Sequence, residues 1–226
     1  LSGEALSGDQ GFGINEITLA HGCEEISDIH SLGVEVAIVV GGGNFFRGMS
    51  ASAQGIERAS ADYIGMLATV MNAVALQQAL LNIGVEARVQ SAIPISPIAE
   101  PYVRMRAVKH LQASRVVIFA AGTGNPFFTT DTAASLRAAE INVNLLIKAT
   151  KVDGVYDSDP MSNPQAKRYE QVSYDQILQE RLAVMDSTAI ALCRDNNTRL
   201  RVMSLSESGT LRGVVLGEPI GTLVSN

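Results

Sequence analysis

The sequence predicts an α/β fold: a three-layer α/β/α sandwich around a central, mostly parallel β-sheet. Apolar, β-branched runs alternate with longer helical patterns along the whole chain, and glycines follow two of these runs. Strands that helices bury on both faces have such near-continuous apolar sequences. We therefore expect one domain spanning residues 1–226, with two lobes meeting at a cleft as the alternative.

The first half of the chain is expected to alternate between helices and strands. Residues 1–6 read as the end of a strand followed by a loop, so we expect a preceding strand to be missing from this sequence. β-branched runs favour strands, and longer stretches with apolar residues at helical spacing favour helices. In chain order the expected elements are helix Asn15–Leu32, strand Val34–Val40, helix Ala61–Ile83, strand Val85–Val89, helix Pro101–Gln112 and strand Val116–Ala120.

The second half repeats the alternation. Two short helices follow each other here, separated by turn residues. The expected elements are helix Thr132–Glu140, strand Asn144–Ala149, helices Ser173–Gln179 and Ser187–Asp195, strand Leu200–Ser204, helix Thr210–Leu216 and strand Gly221–Val224.

The longest expected helix is apolar around almost its whole circumference. Gln77 and Gln78 are the main polar interruptions of the stretch Met66–Leu81. A helix of this kind is buried either in the core or at a subunit interface. Both readings stay open.

Composition excludes several functional classes. Hydrophobic residues make up 46% and charged residues 18% of the chain, which supplies a core and argues against disorder. The formal net charge is −6 without a basic cluster, so a nucleic-acid surface is not expected. Two cysteines that lie far apart, together with three scattered histidines, give neither a disulfide scaffold nor a metal-ligand spacing. We expect a cytoplasmic protein, with no signal segment and no apolar span of about 18 residues for a membrane.

The most informative segment is Ala121–Asp131, with the sequence AGTGNPFFTTD. A strand precedes it and a helix follows it, so glycines, hydroxyls and a carboxylate are expected at the start of a helix. Glycines allow backbone N–H groups to approach a ligand, and a helix N-terminus attracts phosphate. The segment therefore predicts a nucleotide-handling site.

Another glycine loop, Gly41–Gly48, comes earlier in the chain. It follows the first expected strand and has the sequence GGGNFFRG. It matches neither the dinucleotide fingerprint nor the P-loop, so the two commonest nucleotide-binding folds are not expected. Glycine amides could cradle phosphate while Arg47 adds charge-assisted hydrogen bonds. Three consecutive glycines carry a large entropic cost, which favours this reading over a plain turn.

The segment Lys148–Pro160 leaves two readings open. Lys148 could reach transferring phosphates, Tyr156 could flank a purine ring, and Asp159 could accept from a ribose or adenine donor. The same residues also suit a strand, an Asp-Gly turn and a solvated lysine pair. Asp62 and Asp186 each precede or begin an expected helix, and local sequence alone favours helix-terminal carboxylates there.

In this order the motifs closely resemble those of bacterial uridylate (UMP) kinases of the amino acid kinase superfamily. The segments that carry the resemblance are LSGEAL, VVGGGNFFRG, GTGNPFFTTDT and KATKVDGVY. The resemblance extends from Leu1 to Asn226. It implies an amino acid kinase-like fold and transfer of the γ-phosphoryl group of ATP to UMP in pyrimidine nucleotide biosynthesis, with Mg²⁺ carried by ATP.

The resemblance also implies roles for residues, position by position. Asp62 matches the carboxylate that holds the UMP ribose, which replaces the helix-terminal reading. The implied UMP site comprises Gly42, Asp62, Thr123, Gly124, Asn125, Pro126, Phe127, Phe128, Thr129 and Thr130. The implied ATP site comprises Ser2, Gly3, Gly43, Arg47, Thr150, Tyr156 and Asp159. The implied catalytic residues are Arg47, Asp131, Lys148 and Asp186, of which Asp131 orients the reacting centre.

One catalytic residue of the family falls outside the sequence. The family's lysine, which Asp186 would orient, immediately precedes the Leu-Ser-Gly found here, and this sequence starts one residue later. We expect that it was omitted rather than lost.

The family is also typically hexameric, activated by GTP and inhibited by UTP. The segment linked to GTP activation matches Gly8, Asp9, Gln10, Gly11, Phe12 and Gly13, which independently suggest a mobile loop with one aromatic anchor.

Two rival functions stay open. Other members of the superfamily phosphorylate a carboxylate or carbamate, as aspartate and acetylglutamate kinases do, although the Phe-Thr segment before Asp131 argues against them. A non-catalytic nucleotide sensor with this fold is the second rival, and the absent lysine is its support.

Overall fold

The computed structural model of the chain describes residues 1–47 and 55–226. Its contacts divide it into two compact units, Leu1–Thr130 and Asp131–Asn226. We call these the N-terminal unit and the C-terminal unit. Gly48, the last residue of the predicted glycine loop, lies outside the described residues. The single domain over 1–226 stays a prediction.

In the N-terminal unit, strands alternate with helices. Helix α1 is short and is followed by a 3₁₀ turn at Gly8–Gln10. The described elements are helices α1 (Gly3–Ser7), α2 (Glu16–Ser31), α3 (Arg58–Asn82) and α4 (Arg104–Gln112), and strands β1 (Ala37–Val39), β2 (Ala87–Ser91), β3 (Glu100–Pro101) and β4 (Val116–Ala120).

These four strands form one parallel sheet in the order β1-β4-β2-β3. The central strand β4 is buried along its whole length, as its sequence VVIFA requires. Helix α3 packs on β2 and β4, and α4 packs on β4. Leu1 extends the pairing beside β1: its N–H donates to Val39 O and its carbonyl accepts from Gly41 N–H, each at 2.9 Å.

The C-terminal unit holds a second four-stranded sheet, in the order β5-β7-β8-β6. Strands β7 and β8 are antiparallel, and the other two pairs are parallel. Its elements are helices α5 (Thr130–Ile141, beginning at the unit boundary), α6 (Tyr174–Glu180), α7 (Ser187–Asp195) and α8 (Thr210–Val215), and strands β5 (Leu146–Thr150), β6 (Gln171–Ser173), β7 (Leu200–Ser204) and β8 (Thr222–Ser225).

The predicted α/β class with a mostly parallel sheet is confirmed, but the sequence does not predict helix α1 or strands β3 and β6, and helix α4 begins later than expected. Residues 3–7 form a helix rather than a loop, because the Ser2 hydroxyl caps it by accepting from Ala5 N–H at 3.1 Å. Helix α4 begins only at Arg104, since Pro101 ends an edge strand that pairs with Ser91. The sequence does not predict strand β6, because its three residues are too few to show a periodicity.

Helix α3 also contradicts the expectation that no apolar span reaches membrane length. In the part of the chain that the structure describes, it is the one helix that could cross a membrane by length and composition, with a mean hydropathy of 1.5. The core helix of a globular unit passes the same test, and 44% of the apolar window is buried within the protein. Thr69 and Asn72 on its buried face bind backbone groups of neighbouring loops.

The core of the C-terminal unit contains a buried tyrosine whose removal tests the packing. Tyr174 is fully buried, and its hydroxyl donates to Thr198 O at 2.6 Å. Tyr174→Phe should lower the free energy of unfolding by about 1–3 kcal/mol, because the Thr198 carbonyl is left buried without its donor. Tyr169→Phe is the matched control, since its hydroxyl contacts Glu180 in an exposed pair. Equal unfolding free energies of the two variants in urea titrations would contradict this account.

Candidate active site

The glycine loop after β1 is packed too closely for side chains at its first two positions. A Cβ on Gly41 would lie 2.9 Å from Gly3 N, and one on Gly42 would lie 2.6 Å from Gly65 O of α3. Gly43 is different, because the nearest atom to its Cβ position, a Glu4 carboxylate oxygen, is 3.7 Å away. Close packing therefore accounts for two of the three glycines, whereas a Cβ on Gly43 would only make ordinary van der Waals contacts with Glu4 and Arg47.

Two buried asparagines hold this loop, and sequence reasoning missed both. Asn72 of α3 donates to Gly41 O at 2.7 Å, and its amide exchanges hydrogen bonds with that of Asn44. Asn44 lies in the predicted loop, but neither residue was selected. The available signal was an amide in a mostly apolar expected helix, which requires partners when it is buried.

Arg47, predicted to contact phosphate, pairs with Glu4 in the first turn of α1. Its side chain is 58% exposed and that of Glu4 is 46% exposed. Ion pairs this exposed contribute little to stability. A phosphate group could therefore replace the Glu4 carboxylate as the partner of Arg47 at small cost.

The second glycine loop, between β4 and α5, has a strained backbone. Positive φ angles occur at Ala121 (61°), Gly122 (56°), Gly124 (81°) and Phe127 (71°). Such angles are costly for alanine and phenylalanine, and strain of this kind concentrates at functional sites. Thr69 of α3 holds the start of the loop, since its hydroxyl accepts from Ala121 N–H at 2.7 Å.

Asp62 binds the far end of the same loop. Both carboxylate oxygens accept from Arg58 Nε, at 3.0 and 2.9 Å, and Oδ2 also accepts from Phe127 N–H at 2.8 Å. The Arg58 guanidinium lies 5.7 Å from the Phe127 ring centroid. Because α3 begins at Arg58, Asp62 lies in its second turn, and the helix-terminal reading of this residue is wrong.

The remaining predicted UMP-site residues follow along this loop. Thr123 and Asn125 bond to each other in a local turn. Pro126 separates that turn from Phe127 and Phe128, whose rings are exposed. Thr129 leads to Thr130, the first residue of α5. The Thr130 hydroxyl lies 3.3 Å from the Cβ position of Gly41, so the two loops meet within the N-terminal unit.

Asp131 and Lys148 meet in the C-terminal unit. The Lys148 ammonium on β5 donates to the Asp131 carboxylate in the first turn of α5. Both side chains are about three-quarters buried, with 25% of Lys148 and 22% of Asp131 exposed. The two residues predicted to act at the reacting phosphates therefore form one ion pair, which joins β5 to the first turn of α5.

Asp186, which precedes α7, binds α5 next to this ion pair. Its carboxylate accepts from Thr132 Oγ1 at 3.0 Å and from Ala189 N–H at 3.0 Å, and it is the N-cap of α7. The helix-terminal reading is correct for Asp186. Its contact with Thr132, the residue after Asp131, also ties the cap to the first turn of α5.

The predicted purine-side residues bond within their own loop. Thr150 ends β5. Tyr156 donates to Asp153 at 2.6 Å, and this hydrogen bond raises the pKa of Tyr156 and lowers that of Asp153, which Arg168 also contacts. Asp159 accepts from Met161 N–H in a turn at 2.9 Å.

The segment Gly8–Gly13 contacts the first glycine loop. The Phe12 ring packs edge-on against Phe45, with centroids 5.7 Å apart, while 68% of Phe12 stays exposed. Gly13 O accepts from Asn44 Nδ2 at 2.8 Å, and Gly13 N–H donates to Asn44 O at 3.1 Å. The single aromatic anchor expected from the sequence therefore has a partner. Ser2 and Gly3 lie at the start of α1, where a Cβ on Gly3 would lie 2.6 Å from Gly43 N.

Comparisons with known proteins agree on one family. The model of the amino acid kinase family matches residues 1–204. A uridylate kinase of Roseobacter denitrificans is 57% identical over 226 residues, which cover 100% of this chain and 93% of that protein. A crystal structure of a UMP kinase from Bacillus anthracis matches with a TM-score of 0.96 and 43% identity, covering 99% of this chain and 93% of that one. A UMP kinase from Ureaplasma parvum gives a TM-score of 0.93 and 37% identity, covering 100% of this chain and 96% of that one.

Proposed function

This chain belongs to the amino acid kinase family, in which its relatives are uridylate kinases, and we propose that it transfers the γ-phosphoryl group of ATP to UMP. The products are UDP and ADP, so the reaction supplies a step of pyrimidine nucleotide biosynthesis. One UMP phosphate oxygen forms the new P–O bond as the bond between the γ-phosphorus and the bridging oxygen of ATP breaks.

The observation that carries the choice of acceptor is the Asp62 carboxylate bound to Phe127 N–H of the loop between β4 and α5. A carboxylate suits the hydroxyls of a ribose, and the exposed rings of Phe127 and Phe128 offer faces for a base. Gly43 lies next to Glu4 and Arg47, and Arg47 has an exposed partner that phosphate could replace. These groups suit a nucleoside monophosphate better than an amino acid.

Phosphoryl transfer requires alignment and charge stabilisation more than covalent chemistry. The acceptor phosphate is itself an anionic nucleophile, so no strong general base is required. We assign Arg47 to phosphate capture and Lys148 to stabilisation of the transferring group. Asp131 keeps the Lys148 ammonium in place, which is an orienting role rather than proton abstraction. We assign Thr150, Tyr156 and Asp159 to binding of the purine side of ATP. We assign Ser2 and Gly3 to binding of phosphates.

Magnesium fits as an ion brought by the nucleotide. Among residues 1–47 and 55–226, no group of three or more His, Cys, Asp or Glu side chains could hold a metal. Mg²⁺ in kinases is typically bound by substrate phosphates and one or two carboxylates. Asp131, which we place at the reacting phosphates, would supply one such carboxylate. The ion would neutralise charge on the donor phosphates.

Assembly and control are finer parts of the proposal. The exposed side chains of Tyr63, Leu67 and Met71 form an apolar stripe along α3, which supports a homo-oligomer, by resemblance a hexamer. We also propose activation by GTP through Gly8–Gly13, inhibition by UTP, and a cytoplasmic location. Sedimentation at assay concentrations tests the assembly, and effector titrations test the control.

A substrate panel tests the function itself. With Mg²⁺ and ATP, the kcat/KM of the complete protein, measured by ADP release, should be at least about a hundredfold higher for UMP than for aspartate or acetylglutamate. Those amino acids lack the ribose and the base. CMP is the closest competitor in the panel. ADP release that is equal for all acceptors, or absent with UMP, would overturn the proposed function.

Removal of the Asp62 carboxylate, the proposed partner of the UMP ribose, should weaken acceptor binding. In Asp62→Ala we expect the KM for UMP to rise by about tenfold or more, with a smaller effect on kcat, because the lost contact is made in both ground and transition states. Glu57→Ala, a nearby carboxylate that accepts only from Ser60 among its described hydrogen bonds, is the matched control. An unchanged KM for UMP in Asp62→Ala would remove the ribose role.

Removal of the β5 lysine should act on the chemical step. Lys148→Ala should lower kcat by about 10²–10³, the effect of losing one transition-state donor. Lys151→Ala, three residues further and exposed, should keep kcat within about twofold of the parent enzyme. Normal turnover of Lys148→Ala in steady-state assays would contradict the role of Lys148.

A further inference from the structure

The Asn44 and Asn72 side chains form a buried amide pair in which every N–H group is used. Asn72 Nδ2 donates to Gly41 O and to Asn44 Oδ1, both at 2.7 Å. Asn44 Nδ2 donates to Asn72 Oδ1 at 3.0 Å and to Gly13 O at 2.8 Å. The two backbone carbonyls can only accept, which fixes the orientation of both amides.

The pair connects three segments that lie far apart in the sequence. These are the glycine loop Gly41–Gly43, helix α3 and the segment Gly8–Gly13. Asn44 binds Gly13 twice, through its side chain and its carbonyl. Among the described residues, Asn72 hydrogen-bonds to Gly41 and Asn44 and not to the Gly8–Gly13 segment, so any effect of Asn72 on that segment would pass through Asn44.

The Gly41–Gly43 segment depends on such partners because it has no side chains of its own. Gly41 and Gly42 cannot anchor themselves by packing a side chain, and their positions are set by what binds or touches their backbone. Asn72 holds the Gly41 carbonyl, and α3 contacts Gly42 at Gly65 and Ala68. An apolar residue at 72 would fill space equally well, so packing alone does not require an amide there.

We propose that the Asn44–Asn72 pair is a positioning device for acceptor binding, which sets the Gly41–Gly43 backbone and couples it to the Gly8–Gly13 segment. The pair acts through the loop and does not touch substrate. The inference rests on the proposed function for its kinetic consequence. Its structural consequence, the coupling of the two segments, does not depend on any activity.

The test combines kinetics with hydrogen exchange on the complete protein. Asn72→Leu should raise the KM for UMP by about tenfold, with less than about a threefold change in the KM for ATP, because displacement of a substrate loop weakens binding of its own ligand. In the ligand-free protein the same variant should exchange amide hydrogens faster in both 41–46 and 8–13. Gln90→Met is the matched control, since Gln90 is a fully buried amide of the same unit outside these loops.

Several outcomes would overturn the proposal. They are an unchanged KM for UMP, an equal rise in both KM values, equal effects of Gln90→Met, or faster exchange confined to 41–46. If Asn72→Leu does not fold, Asn44→Ala replaces it with the same expected results. If the parent protein does not phosphorylate UMP, the proposed function fails, and the exchange data alone decide on the coupling.

Discussion

The N-terminal unit depends on hydrogen bonds from one helix to the backbone of two loops. Thr69 and Asn72, one turn apart on α3, bind Ala121 N–H directly after β4 and Gly41 O two residues after β1. These strands are neighbours in the sheet. One helix face therefore fixes both strand ends, and the Thr130 contact with Gly41 follows from that placement.

The strained residues of the second loop are tolerable because α3 binds the loop at both ends. Thr69 holds Ala121, and Asp62 holds Phe127, so both non-glycine residues at positive φ have a side chain of α3 on their N–H group. Each such conformation costs on the order of 1–3 kcal/mol and persists only when its surroundings enforce it. In return, the Phe127 and Phe128 rings are kept at the surface rather than in the core.

The sequence predicts the alternation of elements well, because buried parallel strands and their covering helices have distinct periodicities. It predicts local partners less well, and Asp62 and Asp186 illustrate the reason. Both are aspartates near a helix start, but Asp186 caps α7 through Ala189, three residues on, whereas Asp62 binds Phe127 65 residues away. Local sequence could indicate the first contact and not the second. The family resemblance supplied a role for Asp62 that spacing could not.

The three consecutive glycines after β1 show that entropic cost is an incomplete guide to why glycines are present. Their entropic cost argued for function, since a plain turn does not need three of them. Gly41 and Gly42 are required by backbone packing against Gly3 and Gly65, which no local pattern reveals. Of the three, only Gly43 would accept a Cβ at ordinary van der Waals distances. The packing at the first two glycines nevertheless serves the third, because it presses the loop onto α3 and α1 and leaves the Gly43 backbone in a fixed place. A segment of glycines has to take its rigidity from its surroundings, and around Gly41–Gly43 these are Asn44, Asn72 and the start of α1.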